Sequence, residues 1–344
     1  MTTEPVPDRP EARPSEARLL EMRSIAEREG RVHAAGIRPP GAPFPKASPE
    51  TGYYGMPLLK QPQWKWQVPL YFFVGGAAGA SAVIGEMARW VARDRQLARH
   101  ARLVAAAGAM LSSGLLIGDL GRPERFLAML RVFKKQSPMS VGAWVLAAFG
   151  TCSGAAAFSD LVSDYFDAAP VRLIGNVAGP LSAALGLPLH NYTGVLIGAT
   201  AVPVWNRNIA TLPLHFGISG VNSAVSTLEL LGNEHAALNW MGMGAAAVET
   251  WEGVHLERRS EAALEPVKHG ASGWLTRIGG VLSGPAPLAL RVVAAATGAR
   301  KMRRAAAVSS LAGSIVTRYA WMYAGRVSAR NWRLPLEIGE GRPR

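Results

Sequence analysis

From residue 66 onward the chain repeats apolar runs of about 20 residues, the length at which a helix spans the hydrocarbon of a bilayer. No other feature limits the fold as tightly. Inside hydrocarbon every backbone N–H and C=O must be paired within the protein, which leaves helices or closed barrels. A soluble domain of 344 residues does not carry so many such runs. The expectation is an all-α integral membrane protein with about eight transmembrane helices and a polar N-terminal extension. The averages, 49% hydrophobic and 18% charged, hide the division between a polar first stretch and the apolar remainder.

The formal charge of +13 does not point to nucleic acid. The Lys and Arg residues stand between apolar runs, where they fix topology and meet anionic membrane lipids. No aromatic-basic interleaving suggests a nucleic-acid groove. Cys152 is the single cysteine and lies inside an apolar run, so a Cys-ligated zinc or iron–sulfur cluster is not expected in this chain, nor any other metal site. The first residues have neither an apolar signal core nor a twin-Arg pair and do not read as an export signal.

In chain order, residues 15–31 suit a short amphipathic helix and 39–49 a proline-rich linker. Trp64, Trp66, Tyr71, Phe72 and Phe73 suggest an aromatic girdle at the membrane surface. Spans are predicted over 68–91, 101–117, 139–158, 214–231, 236–254 and 305–323, with Arg89, Arg93, Arg95, Arg99 and Arg102 crowding the first loop. Residues 171–205, broken by Pro180, Pro188 and Pro203, read as a lead-in followed by one tilted helix over 178–203. The segment 270–298, with Arg277, Arg291, Pro285 and Pro287, fits a span, a re-entrant piece or an interfacial helix. On a count of eight spans, the Lys and Arg of the short links favour cytoplasmic termini.

The junction over 115–144 stands out. An apolar run stops at Asp119, a short link carries Arg122, Glu124, Arg125, Arg131, Lys134 and Lys135, and a second apolar run opens at Met139. Charges so close to hydrocarbon are costly unless partnered.

These residues resemble a known family. Tyr71-Phe72-Phe73 with Gly75-Gly76, Asp119-Leu120-Gly121-Arg122-Pro123 with Arg125-Phe126, and Ser137-Pro138-Met139-Ser140 with Gly142-Ala143-Trp144 look like blocks of the NrfD/PsrC family. Tyr192-Thr193-Gly194-Val195-Leu196, Pro203-Val204-Trp205-Asn206, Arg318-Tyr319-Ala320 and Ala324-Gly325-Arg326 with Ser328-Ala329-Arg330 continue in family order to about residue 331.

The resemblance implies two four-helix bundles, 66–206 and 207–325, between an extramembrane arm, 1–65, and a tail, 326–344. It implies a multi-pass protein of the bacterial inner membrane. Its role would be to exchange electrons between the quinone pool, menaquinone or ubiquinone, and a ferredoxin-like iron–sulfur subunit. That subunit would hold the clusters and serve a molybdopterin-type or hydrogenase-type catalytic subunit. The chain itself would bind the quinone non-covalently and hold no haem. By position Tyr71 and Val68 replace a histidine and an asparagine of the best-studied members, while Tyr192 matches a quinone-contacting tyrosine.

Quinone reduction takes two electrons and two protons, so the site needs hydrogen-bonding groups at the carbonyl oxygens and a path to water. The candidates for quinone binding are Tyr71, Tyr192, His190 and Trp144. Those for proton transfer are Asp119, Glu86, Glu249 and Arg318, with Arg122 or Arg125 facing a partner or holding Asp119 charged. Each has a plainer reading: interface aromatics for the tyrosines, packing for Trp144, a helix-end ion pair for Asp119, and pairing of Arg318 with Glu249 or Glu252. His190 is expected on a different helix face from Tyr192. A di-haem anchor is disfavoured because of the seven histidines only His190 and His215 fall in or at a clear span. A secondary transporter and a purely structural membrane anchor remain as other readings.

Overall fold

The computed structural model describes residues 59–166, 168–331, 334 and 335, together with Glu21, Ser24, Ile25 and Arg28. Most of the expected arm helix, the proline-rich linker, Asp167 and nearly all of the tail beyond 331 lie outside the described residues, as does the side chain of Arg125. The four arm residues are helical, with Arg28 Nε donating to Ser24 O at 3.2 Å.

Among the described residues the regular structure is helical throughout. Four segments are long and apolar enough to cross a membrane: Gln67–Ala92, Arg95–Asp119, Pro138–Val162 and Gly270–Thr297. With the family shown below, this makes the chain an integral, multi-pass membrane protein.

Helix α1, Gln67–Met87, continues as one π turn, Ala88–Ala92, and is buried on nearly every side. Its glycines explain how. A Cβ at Gly79 would stand 2.8 Å from Gly186 O, and one at Gly220 would stand 3.0 Å from Gly76 O. Lacking them, α1 lies backbone to backbone against α4 and α6. Such small-residue contacts replace the hydrophobic drive that lipid removes. Arg93, at φ 54, turns the chain into α2, Arg95–Asp119, whose N-cap Asp94 accepts from Leu97 N at 2.9 Å. The loop is therefore short, and the expected arginine-crowded loop is corrected. Arg89 lies in the π turn, and Arg95, Arg99 and Arg102 lie inside α2, which starts six residues earlier than its apolar pattern.

The link after α2 forms a 3-10 turn, Pro123–Leu130, and Ser137 caps α3, Pro138–Val162. Helix α4, Ala169–Gly198, is one continuous helix of 30 residues with Pro180 and Pro188 inside it. The predicted break near 178 is absent. Proline within a membrane helix is tolerated because neighbouring helices re-satisfy the freed carbonyls, so it does not terminate the segment as it would in water.

A four-residue turn, α5, Pro203–Asn206, leads to α6, Leu212–Leu230, and α7, Ala236–Arg258. A short 3-10 piece, Ala262–Leu264, and α8, Glu265–Lys268, follow. Segment 270–298 forms two helices, α9, Gly270–Ser283, and α10, Pro285–Thr297, joined at Gly284. A Cβ at Gly284 would lie 2.9 Å from Thr250 Oγ1, so the joint sits tightly on α7. Helix α11, Arg300–Arg330, ends the described fold.

Helix α1 packs on α2, α4 and α6; α3 packs on α2 and α4; α7 packs on α6, α9 and α10. Ser219 Oγ of α6 donates to Ser314 Oγ of α11 at 3.0 Å, and Ser309 Oγ donates to Leu282 O at 2.7 Å. An apolar core of Ala80, Ile84, Leu97, Ala101, Ala224, Val225 and Leu228 joins α1, α2 and α6.

Candidate functional site

The N-terminal end of α1, the C-terminal ends of α2, α4 and α11, and the N-terminal ends of α3 and α6 meet at one end of the helical body. Of the predicted site residues, Tyr71, Tyr192, Asp119 and Arg122 lie there. Tyr71 is 3% exposed and its hydroxyl has no hydrogen-bond partner among the described residues. It lies within electrostatic reach of the Tyr192 hydroxyl. Tyr192 donates to Pro138 O at the first turn of α3, and its ring lies on Gly142, where any Cβ would collide with it. Asp119 is half-buried at the end of α2, and its Oδ1 accepts from Lys65 N at 3.2 Å. Among the described side chains no guanidinium pairs with it: Arg122 is exposed, and the side chain of Arg125, the other expected partner, lies outside those described.

Other candidates lie elsewhere. Trp144 is 39% exposed and packs edge-on to Phe133 of the link, with centroids 6.3 Å apart. His190 faces away from Tyr192, as two residues along a helix require. Its Nδ1 lies 3.2 Å from Gly186 O, and its imidazole lies beside Gly217 of α6. Glu86 is at the opposite end of α1, about 22 Å from Tyr71 along the axis at 1.5 Å per residue. It binds Arg102 at 2.5 Å, and Arg102 also binds Asp160 at 2.9 Å and Gly175 O at 3.2 Å. Glu86 also accepts from Trp90 Nε1 at 3.0 Å. This triad, buried at Glu86 and Arg102 and half-buried at Asp160, ties α1, α2, α3 and α4 together.

Glu249 and Arg318 belong to α7 and α11. Arg318 is 1% exposed, donates to Phe216 O at 3.0 Å and stands 4.0 Å above the Phe216 ring. Glu249 feels its charge, yet the two form no ion pair within 4.0 Å, and Glu252 pairs instead with His215 at 2.8 Å. The expected direct Arg318–Glu pairing is therefore replaced by a cation on an aromatic face.

The aromatic girdle is corrected in part. Trp66 is 59% exposed, but Phe72 is fully buried and touches Phe216 at 6.0 Å, while Trp64 stacks on Trp205 at 5.8 Å. Two motif blocks far apart in sequence meet around that stack. Trp205 Nε1 donates to Trp321 O at 2.9 Å, Val204 N donates to Ser328 Oγ at 3.1 Å, and the Trp205 ring fills the place of a side chain at Gly325. Tyr319 Oη donates to Trp66 O at 2.9 Å and Arg326 donates to Trp64 O.

Two buried arginines escape sequence reasoning. The apolar pattern places Arg102 in a loop and leaves Arg291 in a segment of open course. Arg291 is fully buried and pairs with Glu229 at 2.8 Å, and Arg303 pairs with the same carboxylate at 2.9 Å. The available signal is the complementary Glu86 and Glu229 at matching depth in neighbouring runs.

Among the described residues the body is all-helical, with two tyrosines and a carboxylate at one end. The family described as Polysulphide reductase, NrfD matches residues 58–232, about half of the chain, and the chain belongs to that family. It is also similar to the C subunit of the polysulfide reductase of Wolinella succinogenes, 29% identical over 189 residues. That match covers 49% of this protein and 58% of the relative, so the chain spans less than two thirds of the curated relative's length. The matched region holds Tyr71, Asp119, Trp144 and Tyr192, whereas Glu249 and Arg318 lie beyond the family match.

Proposed function

We propose that this chain is the quinone-binding membrane subunit of a respiratory oxidoreductase. It would exchange electrons between an iron–sulfur partner subunit and the quinone pool, with menaquinone or ubiquinone bound non-covalently. In this reading α4, α6, α7 and α11 cross the bilayer beside the four apolar segments, giving eight crossings in two sets of four and cytoplasmic termini in a bacterial inner membrane. The polar residues of α6 support that reading: Ser219, Asn222, Ser223 and Ser226 are all buried, as a membrane helix requires of its polar face.

The observation that carries the proposal is a spare, buried Tyr71 hydroxyl at the end where Tyr192 and Asp119 lie. The residues present fit a quinone. Its ring needs an apolar slot and its carbonyl oxygens need donors, and Phe72 and Gly75 flank Tyr71, whose hydroxyl is free to donate. A bound quinone would supply the two-electron, two-proton chemistry. Tyr71 would hold one carbonyl oxygen by hydrogen bonding. Tyr192, anchored to Pro138 O, would position the ring edge. Asp119, half-buried beside the surface, would pass protons between that edge and water. Arg122, exposed on the link, would face the iron–sulfur partner, and behind that partner would stand a molybdopterin-type or hydrogenase-type subunit. Movement of protons through Glu249 and Arg318 is a further part of the proposal.

The test is the Tyr192→Phe, Asp119→Asn double variant within the holocomplex. Quinone-dependent turnover should fall by at least about a hundredfold, the low end of what one positioned proton-transfer group contributes. Turnover with an artificial acceptor should stay level. Unchanged quinone turnover would refute the site.

A further inference from the structure

At the end of the body opposite Tyr71, the C-terminal ends of α6 and α10 meet the N-terminal ends of α7 and α11 around a cavity of about 140 Å³. That is several times the roughly 30 Å³ share of one water. Glu229 lies at its floor, 4% exposed, and Asn233, Gly298, Arg300, Arg303 and Arg304 line the rest.

The charges do not cancel. Glu229 is held by Arg291 and Arg303, and Glu234 by Arg300 at 2.8 Å. Four guanidinium groups thus meet two carboxylates, and Arg304 has no ion pair among the described residues. The excess is two positive charges at a mouth that also receives the N-terminal amides of the 31-residue α11. Both Glu229 oxygens are taken up by guanidinium groups, Oε1 by Arg291 and Arg303 and Oε2 by Arg291, so the carboxylate is spent inside the protein and leaves the rim cations to an outside anion. The surrounding surface is apolar: Leu230, Leu231, Val292, Val293 and Met302 are each 40% exposed or more.

We infer that this cavity binds the phosphate headgroup of an anionic phospholipid such as phosphatidylglycerol. The phosphate sits against Arg304 and Arg300 at the α11 N-terminus. The acyl chains lie over Leu230, Leu231 and Val293. A free phosphate shares the rim chemistry but leaves the apolar border unused.

The test uses the full chain purified in detergent, with lipid binding read by native mass spectrometry and by thermal shift. Phosphatidylglycerol should bind and raise the melting temperature, whereas phosphatidylcholine and inorganic phosphate should not. Arg304→Gln should weaken phosphatidylglycerol binding about fivefold and the Arg300→Gln, Arg304→Gln pair about twenty-five-fold, from about 1 kcal/mol per cation. Lys301→Gln, a neighbour that does not line the cavity, should leave binding unchanged. Equal protection by phosphatidylcholine or by inorganic phosphate would overturn the assignment, and so would equal losses in the Lys301 and Arg304 variants.

Discussion

At the residue scale the pair Gly142 and Tyr192 is the most exposed to substitution. The phenol occupies the volume a side chain at 142 would need, and its hydroxyl is spent on Pro138 O. Gly142→Ala forces ring or backbone to move, which costs about 1 to 3 kcal/mol where packing is tight. The expected outcome is a lowered melting temperature together with a larger loss of quinone-dependent than of artificial-acceptor turnover, both measurable on one preparation. Tyr71 was legible in the sequence as a polar group in an apolar run. Its inward direction was not, because a tyrosine at the start of a membrane helix serves equally well as an interface anchor. Asp119 was legible in position but not in partner, since the amide of Lys65 comes from a segment 54 residues away.

At the element scale, apolar run length placed most of the helices, and the sequence misled where polar groups were hidden. Helix α2 begins at Arg95 because Asp94 caps it and because Arg102 turns inward to Glu86 and Asp160. Run length counts such an arginine against a span, whereas the structure uses it to fasten four helices. Arg102→Met leaves buried Glu86 and half-buried Asp160 without their cation and should destabilise the protein by about 3 to 5 kcal/mol, the usual penalty for breaking a buried pair from one side. Denaturation in mild detergent checks this, and wild-type stability would show the triad to be ornamental. The Glu86→Gln, Arg102→Met, Asp160→Asn triple variant should recover part of the loss, since it removes both orphaned charges. The prolines of α4 misled for a different reason: their effect in water does not carry over to a segment whose neighbours pack on it along its whole length.

At the scale of the whole molecule, the distant blocks Pro203–Asn206, Arg318–Ala320 and Ala324–Ser328 were recognisable as motifs, but their meeting around Trp64 was not, because nothing local records contacts across more than 100 residues. One surface link lends itself to titration. Glu261 joins Arg207 at 2.5 Å to Arg259 at 2.7 Å, connecting the α5 turn to the end of α7. The hydrogen bond from Arg207 holds its carboxyl below the ordinary value of 4.5. A carboxylate with a depressed folded pKa adds stability above the unfolded value and loses it as pH falls through the folded one. The wild type should therefore lose melting temperature more steeply below about pH 4.5 than Glu261→Gln does. Parallel curves for the two proteins would show that the link carries nothing.

The last helix closes over the first. Tyr319 and Arg326 of α11 bond to the carbonyls of Trp66 and Trp64, just ahead of α1. During synthesis, α1 thus waits with its threshold unsealed until α11 has been made and inserted. A chain interrupted before residue 319 would present that open rim, with its bare tryptophans, to whatever proteases patrol the membrane.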